Sequence, residues 1–529
     1  MSSAHSNSDH VTKPRPVAKL FAYAASVILL GLLITFVAGG GHHAPGGHHD
    51  SMDAVAAPID GESGSDESLA EVEVTHTDDH AHAPALWGLG IMPFICILGC
   101  IAILPLIPAT EHWWESNLSR YIVSLAMALL TVVYVWLTAD GDAMNAIGLV
   151  LDHAILLEYV PFIILLFSLY VISGGIQLSG DVAAKPLTNT IYLAIGGLIA
   201  SFIGTTGASM LLIRPLLNTN RERKHKIHTI VMFIFVVSNI GGSLLPIGDP
   251  PLFLGYLAGV PFFWTLTLWG PWLFTGILLL VIYFIWDTIM YRRESPAAIA
   301  FDTTNVEPLR LRGLINIPWL LGVIVCVAFV NPNNPLPGTH WHPFEFAREG
   351  LMILLVLLSL LTTPRGVRAA NQFNYHAIIE VAALFVGIFI TMQIPLEVLK
   401  AHGGAITAEF NEPWMYFWLT GGLSSVLDNA PTYLVFFNLA QTGDIPAGTE
   451  MLSLGYGAEI PVDLLIGISL GAVFMGSMTY IGNGPNFMVK AIAEQSGVKM
   501  PSFIGFVFKY SIPVLVPVFI LVVLLFMVF

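Results

Sequence analysis

The stretch Gly242-Ser243-Leu244-Leu245-Pro246-Ile247-Gly248-Asp249-Pro250-Pro251-Leu252-Phe253 returns 234 residues later as Gly476-Ser477-Met478-Thr479-Tyr480-Ile481-Gly482-Asn483-Gly484-Pro485-Asn486-Phe487. Six of the twelve paired positions are identical, and Asp249 stands opposite the chemically similar Asn483. Both copies lie inside apolar sequence. Glycine, proline and small polar residues are poor choices for an uninterrupted membrane helix, so the doubled pattern predicts two broken helices from an internal repeat. In membrane proteins that architecture builds an ion or substrate site near the midplane.

The surroundings fit a bilayer. Of 529 residues, 55% are hydrophobic and only 11% charged, which describes an integral membrane protein and excludes an ordinary soluble enzyme. Cys96, Cys100 and Cys326 all sit in apolar segments, with neither a disulfide framework nor a zinc-ligand spacing. No nucleotide-binding loop, nucleophile triad or cofactor motif stands out, and nothing suggests nucleic acid as a partner. Spans able to cross about 30 Å of hydrocarbon are expected near residues 85–108, 121–138, 159–178, 227–260, 264–290, 314–331, 350–363, 374–397, 462–495 and 506–529. Residues 190–218 and 413–440 are interrupted partway, which suits re-entrant hairpins buried in protein.

If both hairpins return to the side they came from, the loops sort by charge. Lys13, Arg15, Arg120, Lys185, Arg221, Arg223, Arg292, Arg310, Arg365, Lys490 and Lys499 then share the cytoplasmic side, with Arg348 and Lys400 outside it. The expected fold is therefore an all-α polytopic membrane protein with inverted repeats, two re-entrant hairpins, two broken helices and about 11 membrane helices if the first is retained. Residues 1–38 read as a signal peptide or first membrane helix, and 39–84 as a disordered His- and acid-rich outer segment. The first inverted repeat is expected at 85–290, a cytoplasmic linker at 291–313 and the second repeat at 314–529. Glu158 and Glu380, 222 residues apart, each head a crossing and are expected to support the arrangement from opposite faces.

Chemistry concentrates at the hairpin tips and the breaks. Thr205, Thr206 and Ser209 mark the first tip, and Ser424, Ser425, Asp428 and Asn429 the second. Asn239, Ser243, Ser477, Asn483 and Asn486 belong to the breaks. Hydroxyls, amides and exposed carbonyls are the hard oxygen donors that a small cation needs once it sheds water. A carboxylate inside a bundle is costly unless paired, hydrated or protonated, so Asp249 and Asp428 are expected to exchange a proton for sodium. Two plainer readings stay open: Asp249 caps a helix, and Asp428 shapes the hairpin turn.

Through Ser238-Asn239-Ile240-Gly241-Gly242, Pro246-Ile247-Gly248-Asp249 and Ser424-Ser425-Val426-Leu427-Asp428-Asn429-Ala430-Pro431, residues 85–529 resemble NhaD-type sodium/proton antiporters of the ion transporter superfamily. That superfamily also holds arsenite exporters, citrate carriers and sodium-coupled dicarboxylate symporters. The resemblance implies a homodimer in a bacterial inner membrane that moves sodium and protons by alternating access, with no cofactor beyond the transported ions. A sodium-coupled or metal-chelated citrate or dicarboxylate carrier is the alternative it leaves open.

Overall fold

Long apolar runs fold into helices, and the interrupted segments beginning at Ile227 and Val462 are buried among them. The computed structural model describes residues 86–528 apart from 108, 115, 140, 333–334, 336–337, 408–409, 444–447 and 456. The expected first helix and the His-rich segment lie outside the described residues. The chain opens with Trp87–Ile103 (α1), Asn117–Thr138 (α2) and Ala143–Ser173 (α3). Strand β1 (Gln177–Asp181) leads into Pro186–Ile203 (α4) and Thr205–Thr219 (α5), which pack on each other as a helical hairpin. Next come Ile227–Val236 (α6), Pro250–Leu257 (α7), Phe262–Tyr291 (α8) and Pro296–Thr304 (α9).

After strand β2 (Glu307–Arg312) follow Asn316–Phe329 (α10), Ala347–Thr362 (α11) and His376–Thr407 (α12). A second hairpin, Pro413–Ser424 (α13) and Asn429–Ala440 (α14), precedes the short strands β3 (Met451–Ser453) and β4 (Glu459–Pro461). Val462–Met475 (α15), Gly484–Gln495 (α16) and Phe503–Val528 (α17) complete the described chain. Six of these helices, α2, α3, α4, α8, α12 and α17, are long and apolar enough to cross a membrane. The protein is a multi-pass integral membrane protein.

Burial runs inside-out relative to a soluble protein. Leu129, Leu137, Ile277, Leu354, Leu361 and Leu525 are exposed on α2, α8, α11 and α17, as expected where lipid tails are the solvent. By contrast, α6 is buried from His228 to Val236, so a helix hydrophobic all round sits in protein. Both predicted breaks are real: α6 and α7 are separated by a 3₁₀ turn at Ile240–Ser243, and α15 and α16 by one at Gly476–Met478. Glycine makes each break tight. A Cβ on Gly482 would stand 2.6 Å from Gly476 O and 2.8 Å from Ser424 O, and one on Gly248 would strike the backbone of Gly242.

Two expectations need correction. The crossing assigned to 159–178 begins at Ala143, because Asp142 caps the helix by accepting from Met144 N (3.0 Å) and Asn145 N (3.4 Å). The polar residues Asp152, His153 and Glu158, which lowered its hydropathy, sit in a π-helical stretch, Asp152–Tyr159, that carries the helix onward. Glu158 therefore lies well inside α3, whereas Glu380 lies near the start of α12, and their correspondence is inexact. The fold is also not purely helical: β1 pairs antiparallel with β2 in the register Gln177↔Arg312 and Ser179↔Arg310, and β3 pairs with β4. The β1–β2 pair ties the loop after α3 to the segment expected to be a linker.

Candidate ion site where the two breaks meet

Proline decides what Asp249 does. Asp249 occupies the N-cap position of α7, and Asn483 that of α16, yet neither side chain caps its own helix. An N-cap side chain normally accepts from the second or third helical N–H. Pro250 and Pro251 carry no N–H at the first two positions of α7, and Pro485 has none at the second of α16. With less need for a cap, both side chains turn to each other: Asn483 Nδ2 donates to Asp249 Oδ1 at 3.0 Å.

Two hairpin residues complete the shell of the carboxylate. Thr205 Oγ1, at the start of α5, donates to Asp249 Oδ1 at 2.8 Å. Asn429 Nδ2, at the start of α14, donates to Asp249 Oδ2 at 2.6 Å. Asp249 is 1% exposed and Asn429 fully buried. All three donors are neutral. A buried carboxylate held only by neutral donors retains a strong attraction for a proton or a metal cation.

Asn429 also brings an unpaired oxygen next to this carboxylate. Its Oδ1 is buried and accepts no hydrogen bond, which leaves a hard oxygen beside the carboxylate that its own amide contacts. Buried acceptors are normally satisfied, and an oxygen donor without a proton partner suits a metal ion. Gly476 lies close to this amide: a Cβ there would meet Asn239 Oδ1 at 3.3 Å and Asn429 Nδ2 at 3.5 Å.

A rigid amide frame surrounds this centre. Asn239 Nδ2 donates to Ile234 O and Asn486 Oδ1, both at 2.7 Å. Asn486 Nδ2 in turn donates to Gly476 O and Thr479 O, both at 2.9 Å. Asn483 Nδ2 also reaches Asn239 Oδ1 and Ser238 O at 3.2 Å, and Ser209 shares a 2.8 Å hydrogen bond with Ser238. Three of these bonds, Asn239 to Asn486 and Asn483 to Asn239 and Ser238, cross between the two breaks, so the frame closes only when both are folded. The helices cross in the same way, α7 packing on α14 and α16 on α5.

The other expected site residues place their hydrogen bonds elsewhere. Asp428 is half-buried and caps α14 by accepting from Ala430 N at 3.2 Å; its neighbour Asn429, not Asp428, meets Asp249. Ser243 and Ser477 donate to the carbonyls of Ile240 and Phe474 within their own turns. Ser424 donates to Ala472 O (2.7 Å), while Ser425 Oγ donates to Gly422 O (2.7 Å) at the exposed side of the tip. Thr206 is half-buried and contributes no hydrogen bond to this network among the described residues. Glu158 accepts from Gln393 Nε2 at 2.8 Å, and Glu380 pairs with Arg120 at 2.8 Å; neither touches the Asp249 shell.

Two members of the frame carried only a weak sequence signal. Thr479 Oγ1 donates to Ser425 O at 2.6 Å and accepts from Ile481 N and Gly482 N, locking the second break to the second tip. Ser201 does the equivalent in the first half, donating to Gly241 O at 2.5 Å and accepting from Leu244 N. Thr479 was inside the repeated motif, opposite Leu245, so the mismatch concealed it.

The sequence is similar to those of transporters. The family model described as "Putative citrate transport" matches residues 82–527. An uncharacterized transporter of Mycobacterium bovis and another of Mycobacterium tuberculosis are each 25% identical over 325 residues, covering 59% of this chain and 71% of theirs.

Proposed function

Since the chain belongs to the family whose model spans residues 82–527, and is thus a membrane transporter, we propose that it is a secondary active sodium/proton antiporter with its exchange site at Asp249. The observation that carries this reading is the buried Asp249 carboxylate, ringed by Thr205, Asn429 and Asn483 with no cationic partner among the described residues, beside the unpaired Asn429 oxygen. A proton and a sodium ion compete for that carboxylate. Binding of one releases the other, which is sufficient for antiport.

In this scheme α4–α5 and α13–α14 are re-entrant hairpins of inverted repeats, and the Lys/Arg asymmetry supports that topology. Alternating access moves the hairpins and breaks as a body. A bacterial inner membrane and a homodimer are part of the same proposal. The test is sodium-induced pH change in everted vesicles: Asp249→Asn should abolish it while the variant remains folded and inserted. Full activity in that variant would remove Asp249 from the mechanism.

The family description favours a second reading, a cation-coupled carrier for citrate or a related carboxylate, in which the ion at Asp249 is the coupling ion. The N-termini of α5 and α14 both end at the site, and helix N-termini attract anions. Sodium-dependent citrate uptake into proteoliposomes, without sodium/proton exchange when citrate is absent, would select it.

A further inference from the structure

Hydroxyl groups run along one face of α13. Tyr416, Thr420 and Ser424 stand four residues apart, so they share a stripe of the helix, and all three are buried. Ser424 is bonded to Ala472 O, but the Tyr416 hydroxyl and Thr420 Oγ1 make no hydrogen bond. That is unusual for a threonine in a helix. Thr391 and Thr432, also buried in helices, donate to the carbonyls four residues before them at 2.8 and 3.0 Å.

The stripe begins at a cavity. A space of about 150 Å³ opens at the base of the second hairpin, bounded by Asn411, Tyr416, Ala440 and Asp463 among others. Tyr416 thus belongs both to the cavity wall and to the row of hydroxyls. Helices α13, α14 and α15 all pack on one another, and the Tyr416 ring stands edge-on to Phe436 of α14 at 6.3 Å, so the row lies in a three-helix seam. Eight residues of helix rise about 12 Å, from the cavity to Ser424, whose carbonyl faces Gly482 beside Asn483.

We propose that this seam holds water and forms an access route for protons or small cations from the cavity at the hairpin base, past Tyr416 and Thr420, to the centre at Asp249. Buried polar groups that lack protein partners are ordinarily met by water. The carboxylate of Asp463 at the cavity attracts cations to the mouth, and successive hydroxyls relay hydrogen bonds inward. The transport role rests on the cation reading above, whereas the presence of water does not.

Two measurements test it. Hydroxyl-radical footprinting of the reconstituted protein should modify Tyr416 far more than Tyr283, which is equally buried but shares its hydroxyl with Thr229 at 3.1 Å. Equal protection of the two tyrosines means a dry seam and overturns the proposal whatever the cargo. In proteoliposomes, Thr420→Val should slow sodium-dependent flux about tenfold, because a methyl in place of a water-bonded hydroxyl interrupts the relay, while the melting temperature is kept since that hydroxyl bonds no protein group. Unchanged flux in a folded Thr420→Val protein would overturn the route even with water at Tyr416.

Discussion

The two aspartates that looked alike in the sequence have different work. Asp249 follows no ordinary cap geometry because two prolines succeed it, while Asp428 precedes Asn429 and Ala430 and caps α14 in the usual way. Asparagine caps a helix about as well as aspartate. Asp428→Asn should therefore retain transport and stability, and Asp428→Ala should cost about 1 kcal/mol, read as a lower melting temperature in detergent. Loss of all flux in Asp428→Asn would restore Asp428 as an exchange group. Asn429→Leu removes both the donor to Asp249 Oδ2 and the unpaired oxygen. A polar contact to a charged group is worth about 1.5–3 kcal/mol, so half-saturation for sodium should rise by about tenfold or more. An unaltered half-saturation would exclude Asn429 from the site.

At the scale of elements, the breaks depend on backbone approach. Ala at 482 would put a methyl against the carbonyls of Gly476 and Ser424, neither of which is free to swing aside, whereas Gly484 has nothing within 4 Å of such a methyl. Overpacking of this kind costs about 1–3 kcal/mol. Gly482→Ala should lower both melting temperature and uptake, while Gly484→Ala should leave both near wild type; equal behaviour would mean that the break is not held by that contact. Both breaks were legible from the repeated Gly-Ser and Ile-Gly pairs, because glycine and proline punctuate an apolar run whatever the tertiary context. The start of α3 was not, since Asp152, His153 and Glu158 lower hydropathy without ending a helix. Asp249, Asn483 and Asn486 lie in the repeated motif and Asn239 three residues before it, and the structure brings the four side chains together. Sequence position could not separate Asp428 from Asn429, a difference of one residue that depends on which side chain the N-terminus of α14 turns inward.

Across the whole molecule, the centre is framed by long helices with apolar exteriors and tied down by ionic clusters away from the site. Asp287 of α8 accepts from Arg223 Nη2 at 2.6 Å and Nη1 at 3.0 Å, lies 2.8 Å from His228 Nε2 of α6, and accepts from Asn189 of α4 at 3.2 Å. Asn189 and Asn220 exchange two further bonds of 2.9 Å. Breaking a buried pair leaves an uncompensated charge, at about 3–5 kcal/mol. Asp287→Asn should therefore destabilise the protein strongly in a thermal melt, and an unchanged melting temperature would show that this cluster does not anchor the base of the first hairpin. None of these partners could be paired from the sequence, because they come together from four separate segments. The antiport proposed above places the competition of cation and proton at Asp249. Its most direct measurement is radioactive sodium uptake into proteoliposomes driven by an outward-directed proton gradient. Uptake should be saturable in the wild-type protein and lost in a folded Asp249→Asn variant; wild-type uptake in that variant would rule out exchange at Asp249.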